Sequence, residues 1–241
     1  VRLPDTLVLS ASPECVRGCR MVVIACPSFP IRSVCQTVAP YIGQDTVVVS
    51  VTKGIEEGTL LRMSQVVAQE TGHEKIVALT GPCHAEEVAA GLPTGCLAAC
   101  AQREMAELVQ DAFMSDTFRV YTSPDIIGAE LGGALKNVIA LCSGVAAGMG
   151  FGDNTKAMLM TRGLTEMARL GVSLGAQKDT LAGLSGIGDL IVTCTSLHSR
   201  NNRAGILIGQ GHSPQEAMEQ VGAVVCLLYT SDAADEARSV D

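Results

Sequence analysis

The stretch TVVVSVTKGIEEGTLLRMSQVVAQETGHEKIVALTGPC, residues 46–83, decides the predicted fold class. It begins with TVVVSVTKG and ends with KIVALTGPC, two apolar runs without polar alternation, which is typical of parallel strands covered on both faces. Between them lies TLLRMSQVVAQE, which we interpret as a crossover helix. A strand, a helix and a second strand in this order indicate a parallel sheet with helices packed on its faces.

The same alternation continues on both sides of this stretch. MVVIACPS and TGCLAACA predict two more parallel strands, and IRSVCQTVA, HAEEVAAG and REMAELVQDAF predict crossover helices. Beyond residue 125 the strand signals stop, and helices are predicted over 125–149, 155–170, 180–184, 200–208 and 214–221. We therefore predict an α/β fold, in which an incomplete Rossmann-like, doubly wound parallel sheet is followed by an all-α C-terminal domain.

The change from strands to helices sets the predicted domain boundaries. We assign residues 1–123 to a partial dinucleotide-binding domain and residues 124–225 to a helical substrate and catalytic domain. Residues 226–241 pass from a short apolar run to an acidic end. We expect this segment to be a non-native or disordered tail.

Composition excludes several classes of protein. The 241 residues are 47% hydrophobic, enough for a substantial core, and the net charge of −8 argues against a nucleic-acid partner. The apolar runs are shorter than the roughly 20 residues that cross a bilayer, and no signal peptide is recognisable, so we expect a cytoplasmic protein without a membrane span. The ten cysteines are scattered and match no common zinc module, so no metal is expected.

Polar residues follow three of the predicted strands at the point where each strand ends. The segments are Pro27-Ser28, Thr52-Lys53-Gly54 and Gly81-Pro82-Cys83. Parallel strands bring their carboxyl ends to one edge of the sheet, where ligands bind, and Lys53 places a cation there. Each segment alone is more often an ordinary turn, but their coincidence on one edge favours a binding site.

A lone lysine, Lys136, lies in the apolar segment GAELGGALKNVIALCSG, residues 128–144. A helix start before it is predicted by Ser123, Pro124 and Asp125. An apolar stripe expected to face a core is formed by Ile127, Leu131, Leu135, Val138 and Cys142. Lys136 lies off this stripe among small residues, which are Gly128, Gly132, Gly133, Ala140 and Gly144.

The glycines around Lys136 support two interpretations equally well. A glycine inside a helix costs about 1 kcal/mol relative to alanine, so several together indicate close approach by a ligand or by another backbone. One interpretation is tight helix packing, with the ammonium of Lys136 reaching water. The other is a partly dry site in which burial eases loss of the proton and makes Lys136 a general acid.

Two further polar clusters lie in the predicted helical domain. GLSGIGDLIVTCTS, residues 183–196, places Asp189 in a glycine loop, where its carboxylate could hold an ammonium or equally could start a helix. SRNNRAG, residues 199–205, combines a capping serine, a helix start and arginines, which is a good anion site, the alternative being an exposed basic turn. With the two lysines, these groups suit hydride transfer to a phosphorylated ketone, with a lysine protonating the nascent alkoxide.

Longer motifs connect these clusters to a known family. The segments that carry the resemblance are GPCHAEE, YTSPDIIGAELGGALKNVIA, NTKAMLMTRGLTEM, GLSGIGDLIVTCTSLHSRN and VTKG. Over about residues 3–225, the chain resembles the bacterial-type NAD(P)-dependent glycerol-3-phosphate dehydrogenases. The resemblance implies an enzyme that reversibly reduces dihydroxyacetone phosphate to sn-glycerol 3-phosphate with NAD or NADP and feeds glycerophospholipid synthesis. It leaves a homodimer open.

The resemblance also implies residue roles. Lys136 would be the proton donor and acceptor, Lys53 the second active-site lysine, and Asp189 the carboxylate that orders them. Asn137 and Thr193 would be supporting polar groups. Besides Lys53, Lys136 and Asp189, the substrate would contact Gly81, Cys83, Ser199, Arg200 and Asn201. The cofactor would contact Ser28, Phe29, Lys53, Ala85 and Arg200.

Three departures from the family pattern affect this interpretation. Cys83 stands where the family usually has serine, and a thiol is a weaker hydrogen-bond partner. The family's first strand and glycine-rich pyrophosphate turn are not in these 241 residues, and Cys226 and Leu227 stand in place of a Glu-Gly pair. We therefore expect this chain to bind dinucleotide poorly and to be an inactive or impaired fragment.

Three alternatives stay open at this point. One is a non-catalytic fragment that only binds phosphate or dimerises. A second is a related two-domain reductase of another ketone or hydroxy acid, against which the SRNN turn counts. The third and weakest is a cysteine-based metal enzyme.

Overall fold

Five strands form a single sheet in the order β1-β2-β3-β4-β5 in the computed structural model, which describes residues 4–222. The strands are β1 Met21–Ile24, β2 Val47–Ser50, β3 Ile76–Thr80, β4 Thr94–Ala99 and β5 Phe118–Ser123. Four helices accompany the sheet: α1 Ile31–Val38, α2 Met63–Thr71, α3 Ala85–Ala89 and α4 Arg103–Phe113. The predicted tail, residues 226–241, lies outside the described residues.

Helices alone follow the sheet. They are α5 Ile126–Gly148, α6 Asp153–Ser173, α7 Lys178–Leu181, α8 Asp189–Thr195, α9 Arg200–Gly209 and α10 Pro214–Val221. A single π-helical turn, Leu184–Gly188, joins the α7 region to α8. The predicted Rossmann-like sheet followed by a helical domain is confirmed.

The middle strands are buried on both faces, as their apolar runs predict. Val48 of β2 packs with α1 and α2 on one face of the sheet, and Val49 and Val77 pack with α4 on the other. β1, β2 and β3 are mutually parallel, with Val22 opposite Val48 and Val49 opposite Val77. Their carboxyl ends therefore share one edge, as predicted.

The prediction of a parallel strand for TGCLAACA is wrong. β4 runs antiparallel to β3, with Leu79 opposite Ala98, and β5 is parallel to β4. The segment HAEEVAAG forms only the five-residue helix α3, too short to carry the chain across the sheet, so β4 starts at the edge where β3 ends. β5 itself was not among the predicted strands.

The long helix α5 buries a different face from the one predicted. Asp125 caps it through a hydrogen bond from Gly128 N at 2.9 Å, in agreement with the predicted start. Leu131 packs in a core cluster, but Val138 is 49% exposed and Cys142 is also exposed, so the apolar stripe is only partly buried. The glycine face is buried instead, because it admits neighbouring backbone more closely than an alkyl face would.

Close backbone packing joins α5 to α9. A Cβ atom on Gly144 would lie 2.2 Å from the carbonyl oxygen of Asn202, and one on Gly148 would lie 2.2 Å from that of Ile206. In return, a Cβ on Gly205 would meet the carbonyl oxygen of Leu141 at 2.2 Å. These glycines therefore serve helix packing, the alternative that the sequence left open.

By length and composition, α5 is the one described single helix that could span a membrane, and the bent pair 178–195 with 200–209 passes the same test. However, α5 carries Glu130 and Lys136, both buried and both in ion pairs with other elements. Buried charges paired in this way fit the core helix of a globular domain.

Candidate active site

Two lysines and one aspartate form a compact ionic cluster where the sheet meets the helices. The Nζ atom of Lys53 donates to Asp189 Oδ2 at 2.8 Å and to the carbonyl oxygen of Gly81 at 2.9 Å. The Nζ atom of Lys136 donates to Asp189 Oδ1 and, at 2.8 Å, to Thr193 Oγ1. One carboxylate thus holds both ammonium groups, one on each oxygen.

Four separate elements bring these groups together. Lys53 follows β2, and Gly81 follows the neighbouring parallel strand β3. Lys136 lies in the middle of α5, and Asp189 is the first residue of α8, so it is both a helix-start aspartate and the partner of two lysines. Of the two interpretations of Asp189 that the sequence left open, the structure supports the one in which its carboxylate holds ammonium groups, since neither oxygen makes a cap hydrogen bond in α8.

The two lysines differ in their protonation. Burial, reinforced by the neighbouring charge of Lys53, lowers the pKa of Lys136 to about 8. Burial acts in the same direction on Lys53, but the Asp189 carboxylate outweighs it and holds the pKa of Lys53 above its ordinary value. The side chain of Lys136 is 6% exposed against 24% for Lys53, so the drier lysine is the one that gives up its proton more easily.

The glycines near Lys136 make room for protein rather than for a ligand. A Cβ atom on Gly132 would lie 2.3 Å from the carbonyl oxygen of Ser185 in the π-helical turn. One on Gly133 would lie 3.3 Å from Cγ of Lys53. The expectation of close approach is confirmed as approach by backbone and by the Lys53 stem, and it is this packing that lets Lys53 and Asp189 reach Lys136.

The predicted supporting residues take different positions. Thr193 is buried on α8, accepts from Lys136 and donates to the carbonyl oxygen of Asp189 at 2.5 Å. Asn137 is half-buried beside Lys136 on α5, and none of the hydrogen bonds of the cluster reaches it. The structure therefore brings Thr193 into the cluster but leaves Asn137 at its side.

The predicted anion turn starts α9. Ser199 is its N-cap and accepts from Asn202 N at 3.2 Å, while the first N–H groups of the helix have no intrahelical acceptor. Arg200 is exposed, and Asn201 is buried with its Oδ1 atom unpartnered among the described residues. The free N–H groups of the helix start and the Arg200 guanidinium fit an oxyanion such as phosphate, whereas the Asn201 amide can bind one only through its Nδ2 donor.

Asn202 ties this turn to the lysine cluster. Its Nδ2 atom donates to the carbonyl oxygens of Cys194 at 3.0 Å and Ala140 at 3.4 Å. Cys194 follows Thr193, and Ala140 lies four residues beyond Lys136, about 6 Å along the helix axis. The start of α9 therefore packs against α5 about one helical turn past Lys136. No role was predicted for Asn202, although it stands inside the SRNN motif.

The remaining predicted contacts lie around the carboxyl edge of the sheet. Gly81 has φ of +144°, and a Cβ there would lie 3.0 Å from Cys96 Cα, so glycine is needed. Cys83 is half-buried, and its thiol donates to Gly81 O at 3.2 Å. Ser28 is half-buried, whereas Phe29 beyond β1 and Ala85 at the start of α3 are exposed.

Metal ligands are not grouped in the part of the chain that the structure describes: no three His, Cys, Asp or Glu side chains there could hold a metal ion. The cysteines of residues 4–222 are free thiols.

Two family models match the chain. Residues 1–106 match the model for the NAD-dependent glycerol-3-phosphate dehydrogenase N-terminus, and residues 125–239 match the model for the C-terminus of the same family. The chain belongs to the NAD-dependent glycerol-3-phosphate dehydrogenase family.

Curated relatives agree with this assignment. The chain is 55% identical over 237 residues to glycerol-3-phosphate dehydrogenase (NAD(P)+) of Moorella thermoacetica, covering 98% of this chain and 70% of the relative. It is also 55% identical over 212 residues to the Clostridium perfringens protein of the same name, covering 88% of this chain and 64% of that relative. The chain thus spans about two thirds of the length of the curated relatives that it matches.

A solved structure shows the same fold. The glycerol-3-phosphate dehydrogenase of Coxiella burnetii superposes with a TM-score of 0.84 at 36% identity, covering 93% of this chain and 70% of that one. The family predicted from the sequence is confirmed, and it is a family of NAD(P)-dependent oxidoreductases.

Three buried polar residues near the lysine cluster had no predicted role. Thr80 and Ser185 are buried near the cluster, and their hydroxyl oxygens are unpartnered among residues 4–222. Glu130 is buried on α5, two turns before Lys136. The signal for Glu130 was available in the sequence, because a carboxylate inside the apolar run GAELGG needs a buried partner.

Proposed function

We propose that the protein reversibly reduces dihydroxyacetone phosphate to sn-glycerol 3-phosphate with NADH or NADPH. The observation that carries this proposal is the Lys136 ammonium, buried and held by Asp189 and Thr193 next to Lys53. A buried lysine with a pKa of about 8 is suited to donate a proton to an oxygen near neutral pH.

The residues present fit the nicotinamide half of a dinucleotide. Ligands bind beyond the carboxyl ends of such strands, and this edge offers Ser28, Phe29 and Lys53, with Arg200 exposed at the start of α9. These residues and Ala85 would hold the cofactor, whose reduced nicotinamide supplies the hydride when bound. The 241 residues contain no G-x-G-x-x-G turn, so a pyrophosphate contact of that kind is not assigned to this chain.

Lys136 has the donors that the reaction needs. An ammonium has three N–H groups, and Lys136 uses two of them on Asp189 and Thr193, which leaves one for the C2 oxygen of the substrate. As the carbonyl carbon is reduced, negative charge develops on that oxygen, and Lys136 passes its proton to it. In the reverse direction the neutral amine takes the proton from the hydroxyl group.

Lys53 and Asp189 set the charge of the site. Lys53 also uses two N–H groups, on Asp189 and Gly81, and its remaining donor can orient the substrate oxygen. Because the shared carboxylate is already hydrogen-bonded to both lysines, little reorganisation is needed when charge develops.

The turn Ser199–Asn201 would bind the substrate phosphate. The α9 N-terminus and the Arg200 guanidinium supply positive charge, and Asn201 supplies a buried amide. The offset of about one helical turn along α5 between Lys136 and this region suits a short substrate, in which one methylene and one oxygen separate the carbonyl carbon from phosphorus.

Further parts of the proposal concern the setting of the enzyme. We assign residues 1–123 to the cofactor side, 124–225 to the substrate side and 226–241 to a tail outside the catalytic unit. A cytoplasmic enzyme that supplies glycerophospholipid synthesis, with a second copy of itself as its protein partner and no nucleic-acid partner, fits the net charge of −8 and the small substrate.

Turnover by the protein expressed from its complete gene tests the proposal. We expect NADH oxidation that depends on dihydroxyacetone phosphate and is far weaker with dihydroxyacetone, because the unphosphorylated ketone cannot use the Ser199–Asn201 turn. Reduction of an unphosphorylated keto acid instead would support a different reductase. A melting temperature raised by dihydroxyacetone phosphate without any turnover would support a non-catalytic phosphate-binding protein.

A further inference from the structure

Glu130 makes the most extensive buried charge contacts outside the lysine cluster. Its Oε1 atom accepts from Ser64 N at 2.7 Å, and its Oε2 atom accepts from Ser64 Oγ at 2.6 Å and from Arg62 Nη1. The Glu130 side chain is 4% exposed and that of Arg62 is 17% exposed. A carboxylate on the helical side thus holds the start of α2, which belongs to the sheet side.

Arg62 is the far end of a loop whose near end is Lys53. The loop closes on itself through a bridge between Ile55 and Arg62 and through the hydrogen bond from Glu56 N to Leu61 O at 2.9 Å. The position of Arg62 is therefore linked through Ile55 to the backbone two residues after Lys53.

The other side of this loop is held by α1. Arg32 donates from Nε to Glu56 Oε1 and from Nη2 to Glu56 Oε2, both at 2.7 Å, and also bonds Glu70 of α2. These contacts fix the loop to the sheet domain only. The Glu130 contacts tie the loop to α5 through charge, beside the apolar packing of Ile55 against the cluster that contains Leu131 of α5.

Two successive turns of α5 therefore meet the loop, and the next carries the proton donor. Glu130 binds its far end, Gly133 lies against the Lys53 stem, and Lys136 reaches Asp189. We propose that Glu130 is a positioning residue: through Arg62 and Ser64 it holds the Lys53 loop against α5 and so sets the spacing between Lys53 and Lys136. The effect of Glu130 on the reaction rests on the proposed function, whereas its effect on the spacing between the two lysines does not depend on that function.

The variant Glu130→Gln tests this role. Glutamine keeps the size and an acceptor for Ser64 but removes the charge that binds Arg62. If the loop relaxes away from α5, Lys53 affects Lys136 less, and the midpoint at which Lys136 loses its proton moves upward. The charged groups around the Lys136 amine are Asp189 and Lys53, with the Cys194 thiol beside it on α8.

Labelling of amines with acetic anhydride across a pH series, read by mass spectrometry, gives that midpoint without any turnover. We expect an upward shift in Glu130→Gln and no shift in the control Asp125→Asn. Asp125 is also a buried carboxylate that serves α5, accepting from Gly128 N at 2.9 Å and Gln177 N at 2.8 Å, but it does not touch the Lys53 loop. An unchanged midpoint in Glu130→Gln would overturn the proposal.

A second variant covers the case in which Glu130→Gln does not fold because Arg62 is left unpaired. Combining Glu130→Gln with Arg62→Gln removes the unpaired charge and still releases the loop, so the same upward shift is expected, and a wild-type midpoint would overturn the proposal. In turnover assays of these variants, kcat should fall about tenfold while KM for dihydroxyacetone phosphate stays unchanged. Misplacement of the reacting groups lowers the rate of the chemical step more than it weakens substrate binding. If the wild-type protein shows no turnover, the proposed function fails while the labelling result still decides the role of Glu130.

Discussion

Lys53, Lys136 and Asp189 hold one another through short hydrogen bonds in a largely buried cluster, whereas the turn at Ser199 leaves Arg200 exposed and Asn201 Oδ1 unpartnered among residues 4–222. The first region has its charges paired before any substrate arrives. The second region presents an exposed guanidinium and the free N–H groups of a helix start, which an anionic ligand would complete.

Under the proposed function, the two regions would perform different tasks within one site. A paired, buried cluster costs little to reorganise during the reaction, so it should determine the rate of the chemical step. An open anion turn gains its partner only when substrate binds, so it should determine affinity. Substitutions in the two regions should therefore change different kinetic constants.

The largest effect is expected for Lys136→Ala. Loss of the general acid should lower kcat by about 100-fold or more with little change in KM, because the anion turn is intact. Steady-state kinetics with dihydroxyacetone phosphate measure this, with Lys156→Ala, a partly exposed lysine on α6, as the control. Near-normal kcat in a folded Lys136→Ala protein would move the catalytic role to another group.

Arg200→Ala should change KM more than kcat. Loss of a charge-assisted hydrogen bond, about 1.5–3 kcal/mol, predicts KM for dihydroxyacetone phosphate raised about 10- to 100-fold with a smaller change in kcat. Arg203→Ala is the matched control, since Arg203 is exposed one turn further along α9. Equal effects of the two variants would mean that the turn attracts phosphate only by its overall charge.

The pH dependence should follow Lys136. Because its pKa is lowered to about 8, the lysine is protonated below that pH and neutral above it. In the reducing direction kcat should therefore fall as pH rises through about 8, approaching tenfold per pH unit, and in the oxidising direction it should rise through the same range. A reducing-direction kcat that is flat from pH 7 to 9.5 would contradict the assignment.

The smallest effect is expected for Thr193→Val. This change removes the hydroxyl that accepts from Lys136 at 2.8 Å but leaves the Asp189 contact in place. One neutral hydrogen-bond acceptor, about 0.5–1.5 kcal/mol, predicts a two- to tenfold fall in kcat. Thr195→Val, an exposed position on the same helix, should leave kcat unchanged.

Much of the fold could be predicted because local chemistry decides it. β2 and β3 are buried on both faces and have matching apolar runs, and α10 begins at Pro214 behind the capping Ser213, as its sequence indicates. The direction of β4 could not be read, because TGCLAACA is equally apolar in either direction and the length of α3 decides the connection.

The sequence predicted which charged residues belong to the site but not how the helix that carries Lys136 packs. Lys53, Lys136 and Asp189 stood out as charges among apolar residues and glycines, and the structure joins them. The buried face of α5 was misjudged because hydrophobicity marks Val138 and Cys142 as core, whereas the tight contacts are made by glycine against backbone. Close contact between the backbones of two helices cannot be read from the spacing of apolar side chains, and the glycines are its only mark in the sequence.

The close packing of α5 against α9 fixes the position of one helix along the other. The carbonyl oxygens of Asn202 and Ile206 lie against Gly144 and Gly148, where a Cβ atom would clash with them. A shift of α9 along the α5 axis would therefore bring these oxygens against residues that carry side chains. The position of the Ser199 turn relative to the backbone of Lys136 is thereby fixed by contacts between the two helices, and Asp189 and Thr193 then position the Lys136 ammonium. Under the proposed function, this fixed register predicts selection for chain length: a ketose phosphate with one more carbon between phosphate and carbonyl should be a poorer substrate than dihydroxyacetone phosphate.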